Sequence, residues 1–158
     1  MIFKTILLAA DMEPHSAGAV DYAFALAEKL GAVVHVLYAY SPVVIPNGSG
    51  SGTIPYEALH ERARTKLEHA LAAHRSSPCL GKQLVDMGEP ITAILEMASA
   101  VSADLIVVGT HARQGIQRLL AGSVSEGVLR DAKVPVLVVK GLAKSSGAIR
   151  GAQASTVN

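Results

Sequence analysis

The segment richest in chemistry runs from Gly109-Thr110-His111-Ala112-Arg113-Gln114-Gly115 to Gly122-Ser123-Val124-Ser125. It follows a nearly continuous apolar run, Ala103 to Val108, and leads into a helical pattern. Holding a phosphate requires close backbone approach, free N–H donors and positive potential. Glycine permits the approach, and a helix N-terminus supplies the donors and the dipole. Ser123 and Ser125 add hydroxyl donors at a first helical turn, and Arg113 adds charge. The same residues have a plainer reading, in which Gly109 ends a strand and Ser123 caps a helix. There is no Walker A sequence, because no Gly-Lys-Ser/Thr follows a correctly spaced glycine.

Other chemical groups are sparser. Asp11 closes the first apolar run, where aspartate commonly caps a helix or makes a turn. His111 lies in the loop near the phosphate candidates. His35 falls in a strand and His74 on an apolar stripe, which suits structural roles, and His15, His60 and His69 read as exposed. No pairing of histidines suggests a metal site. Cys79 is the single cysteine, so neither an internal disulfide nor a paired-cysteine zinc site is expected, and it reads as a small apolar residue near a strand start. A hydrolase built from Ser123, His111 and Asp11 would lack its nucleophile elbow, since Gly122-Ser123-Val124-Ser125-Glu126 has no final glycine. No catalytic residue is assigned.

The elements that must position these groups follow from periodicity. Residues 2–10 read as a buried strand ending at Asp11. Ser16 suits an N-cap, and a helix runs on to Leu30 with Val20, Phe24, Ala27 and Leu30 at helical spacing. Gly31 is a helix stop. Val33 to Tyr40 is a second strand, closed by Pro42. Residues 46–53, Pro-Asn-Gly-Ser-Gly-Ser-Gly-Thr, read as a flexible loop whose Gly48, Gly50 and Gly52 do not fit G-x-G-x-x-G. A second helix spans about Pro55 to Arg75, with Leu59, Ala63, Leu67, Ala70, Leu71 and His74 on one stripe and Glu61, Arg62, Arg64, Lys66 and Glu68 on a solvated face. Strand 80–86 follows, then a helix opened by Pro90 with Ile91, Ile94, Leu95, Ala98 and Val101 on its stripe. Ala103–Val108 is the fourth strand, 109–121 an irregular or partly helical stretch, about Ser123 to Ala132 the fourth helix, and Val134–Lys140 the fifth strand.

This βαβαβαβαβ order predicts an α/β fold, an open five-stranded parallel Rossmann-like sheet with helices on both faces. Composition agrees: hydrophobic residues make up 50% and aromatic ones only 4%, so Val, Leu, Ile and Ala must fill a sheet buried on both sides. Such sheets bind ligands beyond the carboxyl ends of their strands, where Asp11, Ala39 and Gly109 fall. The net charge of +1 and the lack of aromatic–basic alternation argue against a nucleic-acid partner. No apolar run approaches the roughly 18 residues of a membrane span, and the N-terminal stretch lacks a signal-peptide pattern, so the expected location is the cytoplasm. Residues 1–140 are expected to form one domain, and 141–158, small and polar, a flexible tail. Pro135 cannot donate to a ladder, which puts the fifth strand at an edge or starts it there, and an open Val136-Leu137-Val138-Val139 edge needs a cover.

Four stretches together resemble the universal stress protein family. They are Lys4-Thr5-Ile6-Leu7-Leu8-Ala9-Ala10-Asp11, Asp104-Leu105-Ile106-Val107-Val108-Gly109-Thr110-His111, Leu119-Leu120-Ala121-Gly122-Ser123-Val124-Ser125-Glu126 and Val134-Pro135-Val136-Leu137-Val138-Val139. The resemblance covers about residues 1–140 and implies the adenine-nucleotide alpha-hydrolase-like version of the fold. It also implies an adenine-nucleotide ligand, ATP with or without Mg2+, in a stress-response sensor or switch rather than a fast enzyme, with slow ATP hydrolysis or autophosphorylation as the most that catalysis would amount to. By it, Asp11 meets the ribose, the backbone of Ala39 meets adenine, Val108, Ala9 and Ala10 line the pocket, and Gly109, position 112 (Ala112) and Gly122-Ser123 form the phosphate motif; His111, Arg113, Val124 and Ser125 beside that motif complete the expected nucleotide-binding set, although a lone loop histidine is more often incidental. It further implies a homodimer through the edge strand Val134–Lys140. The family's ATP-binding branch carries glycine, two residues, glycine, nine residues, then Gly-Ser or Gly-Thr. Gly109 and Gly122-Ser123 match, but the second glycine is Ala112 here. That methyl either strains a left-handed backbone, meets a phosphate, or is harmless. A dimer of the same fold without nucleotide is the alternative.

Overall fold

In a computed structural model the chain is described over residues 3–12, 16–41, 55–110 and 123–140. The first strand is β1, Thr5–Ala9, and α1, Ala17–Leu30, follows it. Gly31 ends α1 in the left-handed conformation, with the Ala32 N–H returning to the Ala27 carbonyl at 3.0 Å, a stop that glycine adopts without a Cβ clash. Then come β2, Val33–Tyr40, and α2, Tyr56–Ala70.

The expected second helix is shorter than its apolar stripe. Leu71 breaks it at φ −94° and ψ 5°, and Ala72–His74 form a separate 3₁₀ turn. Tertiary anchors explain the break: His74 stacks on Phe24 of α1 at 4.2 Å and its Nε2 lies 2.8 Å from an Asp21 carboxylate oxygen. The remaining elements are β3, Leu80–Met87, α3, Pro90–Ala100, β4, Leu105–Thr110, α4, Ser123–Asp131, and β5, Val136–Lys140. Gly109 thus lies inside β4, in register with Val139, rather than opening an irregular stretch. Pro135 precedes β5, and its carbonyl accepts the Ile106 N–H.

The sheet is five-stranded and parallel, in the order β3-β2-β1-β4-β5. The chain winds outward from β1 to β3, then returns across the sheet to β4. Right-handed crossovers therefore place α1 and α2 on one face and α3 and α4 on the other. The cores divide accordingly. Ile6, Leu8, Phe24, Val34, Leu67 and Val107 pack under α1 and α2. Leu7, Leu37, Ile94, Ile106, Val108 and Val128 pack under α3 and α4. Consecutive residues of β1 thus belong to opposite cores, as the two-residue strand period requires. Cys79 is buried just before β3. At the other end of the sheet, Asp104 accepts the Lys4 and Thr5 N–H groups at 2.8 and 2.9 Å, which sews the start of β4 to the start of β1.

Candidate functional site

β1 and β4 are neighbours whose helices leave on opposite faces, so a crevice opens beyond their carboxyl ends. A cavity of about 270 Å³ occupies it. Its floor is Ala9, Leu37, Ala39 and Val108 from the strands, with Ala10 and Asp11 beyond β1. Pro90 and Ile94 of α3 form one wall, and Ser123, Val124 and Ser125 of α4, with Gly109, form the other. Small residues on the floor create the space, because alanine at positions 9 and 39 leaves room where a larger side chain would fill it.

Three local features set this geometry. Gly109 has its missing side chain directed away from the cavity: a Cβ there would come within 3.2 Å of the Ala19 Cβ on α1. The glycine therefore serves close helix–strand packing behind the site, while its carbonyl accepts the Ser125 hydroxyl at 3.3 Å and ties α4 to the end of β4. Gly127 brings α4 against α3, since a Cβ there would meet Ile91 at 2.4 Å. Finally, Ser16 is not a cap. Its backbone is helical and its side chain makes no cap bond; the hydroxyl instead donates to Asp11 Oδ1.

The two helices that face the cavity differ in their electrostatics. At the N-terminus of α3, the Glu89 carboxylate accepts the Ile91 and Thr92 N–H groups at 3.1 and 2.7 Å, and the Thr92 hydroxyl at 2.8 Å. The Thr92 and Ile91 amides, followed by the Thr92 hydroxyl, hold the Glu89 carboxyl below the usual carboxylate range, so its negative charge already neutralises that helix end. Among the described residues that line the cavity, Asp11 is the single ionisable side chain. At α4, Ser123 is exposed while Ser125 is buried.

The structure brings Ala9, Ala10, Asp11, Ala39, Val108, Gly109, Ser123, Val124 and Ser125 around one cavity. His111, Ala112, Arg113 and Gly122 lie outside the described residues. Sequence reasoning missed Leu37, Pro90 and Ile94 as walls. Strand alternation puts Leu37 on the face of Ala39, a signal that was available, whereas only the crossover brings Ile94 over the same floor. Among the described residues, no cluster of three or more His, Cys, Asp or Glu side chains is placed to hold a metal ion, and no helix is long and apolar enough to cross a membrane.

Fold and site together define a doubly wound α/β protein with a cavity at its switch point. Residues 2–140 match the universal stress protein family, and the chain belongs to it. A universal stress protein of Thermus aquaticus is 36% identical over 144 residues, covering 88% of this chain and 100% of its own. One from Methanocaldococcus jannaschii is 33% identical over 142 residues, covering 88% and 83%. Among solved structures, a universal stress protein in complex with cAMP superposes with a TM-score of 0.60 at 30% identity, over 90% of this chain and 100% of that one. One from Archaeoglobus fulgidus in complex with dAMP gives 0.62 at 25% identity, over 87% and 98%.

Proposed function

We propose that the chain binds an adenine nucleotide in this cavity and acts as a nucleotide-responsive stress protein, a sensor or switch rather than a fast enzyme. The observation that carries the reading is the polarity of the cavity. Its α3 side is apolar and closed to anions by the Glu89 carboxylate. Its α4 side offers the first turn of a helix with an exposed serine. Asp11 stands at the end of β1 between them. A planar base against Leu37, Ala39 and Ile94, ribose hydroxyls on Asp11, and phosphate at Ser123 and Val124 would satisfy all three regions. Ser125, already bonded to the Gly109 carbonyl, holds the phosphate-side helix in place, and Ser123 is the donor. Solved relatives bound to cAMP and dAMP support the ligand class. His111, Arg113 and Gly122 complete the phosphate side in this reading, and ATP, with Mg2+ as counter-ion, is the triphosphate candidate.

A second reading, a dimer of the same fold without nucleotide, is favoured by Ala112 at the motif's second glycine. Calorimetric titration of nucleotide-free protein with ATP and AMP decides between them. Saturable one-to-one binding supports the first reading. No heat up to about 1 mM ligand, where a site would be worth only about 4 kcal/mol, overturns it. Phosphate release under turnover conditions would add slow hydrolysis. We also propose a homodimer through β5, because that strand ends the sheet with Val136, Leu137, Val138 and Val139 only half-buried.

A further inference from the structure

We propose that Ser16 is a positioning residue for ligand recognition: it fixes the carboxylate plane of Asp11 so that the ribose hydroxyls of the ligand meet a preset acceptor. The inference rests on the nucleotide reading above and assigns a residue outside the cavity lining. Ser16 precedes α1, where a serine ordinarily turns its oxygen onto the helix's own free amides. Here it does not. Its backbone is already helical, at φ −81° and ψ −9°, and no cap bond forms. The hydroxyl donates instead to Asp11 Oδ1, five residues earlier in the chain.

Two further features hold this contact in place. Met12, directly after Asp11, has a φ of 57°, a left-handed backbone that a non-glycine residue adopts only when its surroundings enforce it. Its side chain is buried in the core under α1 and α2, which supplies that enforcement. Ser16 itself is only 5% exposed, and its Oγ lies 3.9 Å from where a Cβ on Gly109 would stand. The glycine of β4 lets α1 pack closely at Ala19, and Ser16, just before that helix, lies beside it at ordinary contact distance. A carboxylate held through one oxygen by a neighbouring hydroxyl loses less rotational freedom when a ligand arrives, which is how an indirect contact raises affinity.

The ribose hydroxyls make the test selective. Wild type, Ser16→Ala, Ser16→Thr and Asp11→Ala are titrated with adenosine 5′-monophosphate and its 2′,3′-dideoxy counterpart. Ser16→Ala is expected to weaken the ribonucleotide about tenfold, the effect of one hydrogen bond to a charged group. The dideoxy ligand should change by less than about twofold. Ser16→Thr should restore the ribonucleotide, and Ser16→Ala added to Asp11→Ala should cost nothing more. Equal weakening of both ligands, no weakening, or failure of threonine to rescue overturns the proposal. Should Ser16→Ala fail to fold in a thermal melt, Ser16→Cys, isosteric with a weaker donor, is held to the same split. Wild type that binds neither ligand overturns the nucleotide reading and this proposal with it. Wild type that prefers the ribonucleotide while Ser16→Ala is silent overturns this proposal alone.

Discussion

At the residue scale, the proposed nucleotide site turns on Asp11 and on a methyl group. Asp11→Asn keeps an acceptor but removes the charge that hydroxyl donors favour, so affinity for a ribonucleotide should fall about tenfold in a calorimetric titration. Unchanged affinity would remove Asp11 from the ribose. Ala112→Gly addresses the departure from the family motif. If position 112 needs a left-handed backbone, alanine there costs roughly 1–2 kcal/mol, and the glycine should tighten ATP binding about five- to thirtyfold. Identical isotherms would show the methyl to be harmless. Residue types were the most legible part of the site: every expected site residue among the described ones borders the cavity. Their reasons were less legible. Gly109 reads in sequence as room for a phosphate, yet the space its absent Cβ leaves is filled by α1. Ser16 reads as a cap, yet it turns to Asp11. Both depend on a helix from elsewhere in the chain, which no local pattern encodes.

At the element scale, boundaries moved where tertiary contacts overrode the stripe, as at Leu71, while the alternation of strands and helices indicated a parallel sheet but not its order, β3-β2-β1-β4-β5. The β2–β3 pairing carries its own fine structure. The register shifts between Val34 and Val36, and the His35 Nδ1 there accepts the Lys82 N–H at 2.9 Å. A Cβ on Gly81 would stand 2.6 Å from both His35 Nδ1 and Val33 Cγ1. Gly81→Ala must therefore displace a ring already committed to a backbone bond, and should destabilise by about 1–3 kcal/mol in urea unfolding. The same ring gives a pH dependence. Burial, and then the Lys82 charge, push the His35 imidazole below its ordinary range, so the folded state binds its proton less readily than the unfolded chain does. Its contribution is complete above the ordinary imidazole range and is lost as pH falls toward the lowered folded value. His35→Asn, which retains an acceptor without a titration, should flatten the loss of stability that sets in as pH falls below the ordinary imidazole range. An unchanged slope would assign that pH dependence to other groups.

At the scale of the whole molecule, the two edges of the sheet differ. β3 carries exposed Lys82 and Gln83, and a charge on an edge discourages pairing with another sheet. β5 has no such guard before Lys140. Val138→Lys should halve the molecular mass measured by sedimentation while leaving a cooperative melt. A wild type that sediments as a monomer at about 100 μM, well above the concentrations at which stable interfaces form, would overturn the dimer.

Asp104 gives one more consequence, in time rather than space. Its bonds to Lys4 and Thr5 join residues 100 and 99 positions apart, and β1 is the middle strand, paired on both sides. During synthesis at about 5–20 residues per second, β1 must wait about 5–20 s for its second neighbour to be made. Through that interval the nascent chain holds a strand destined for the core with one edge unpaired, a condition in which a growing polypeptide needs a chaperone.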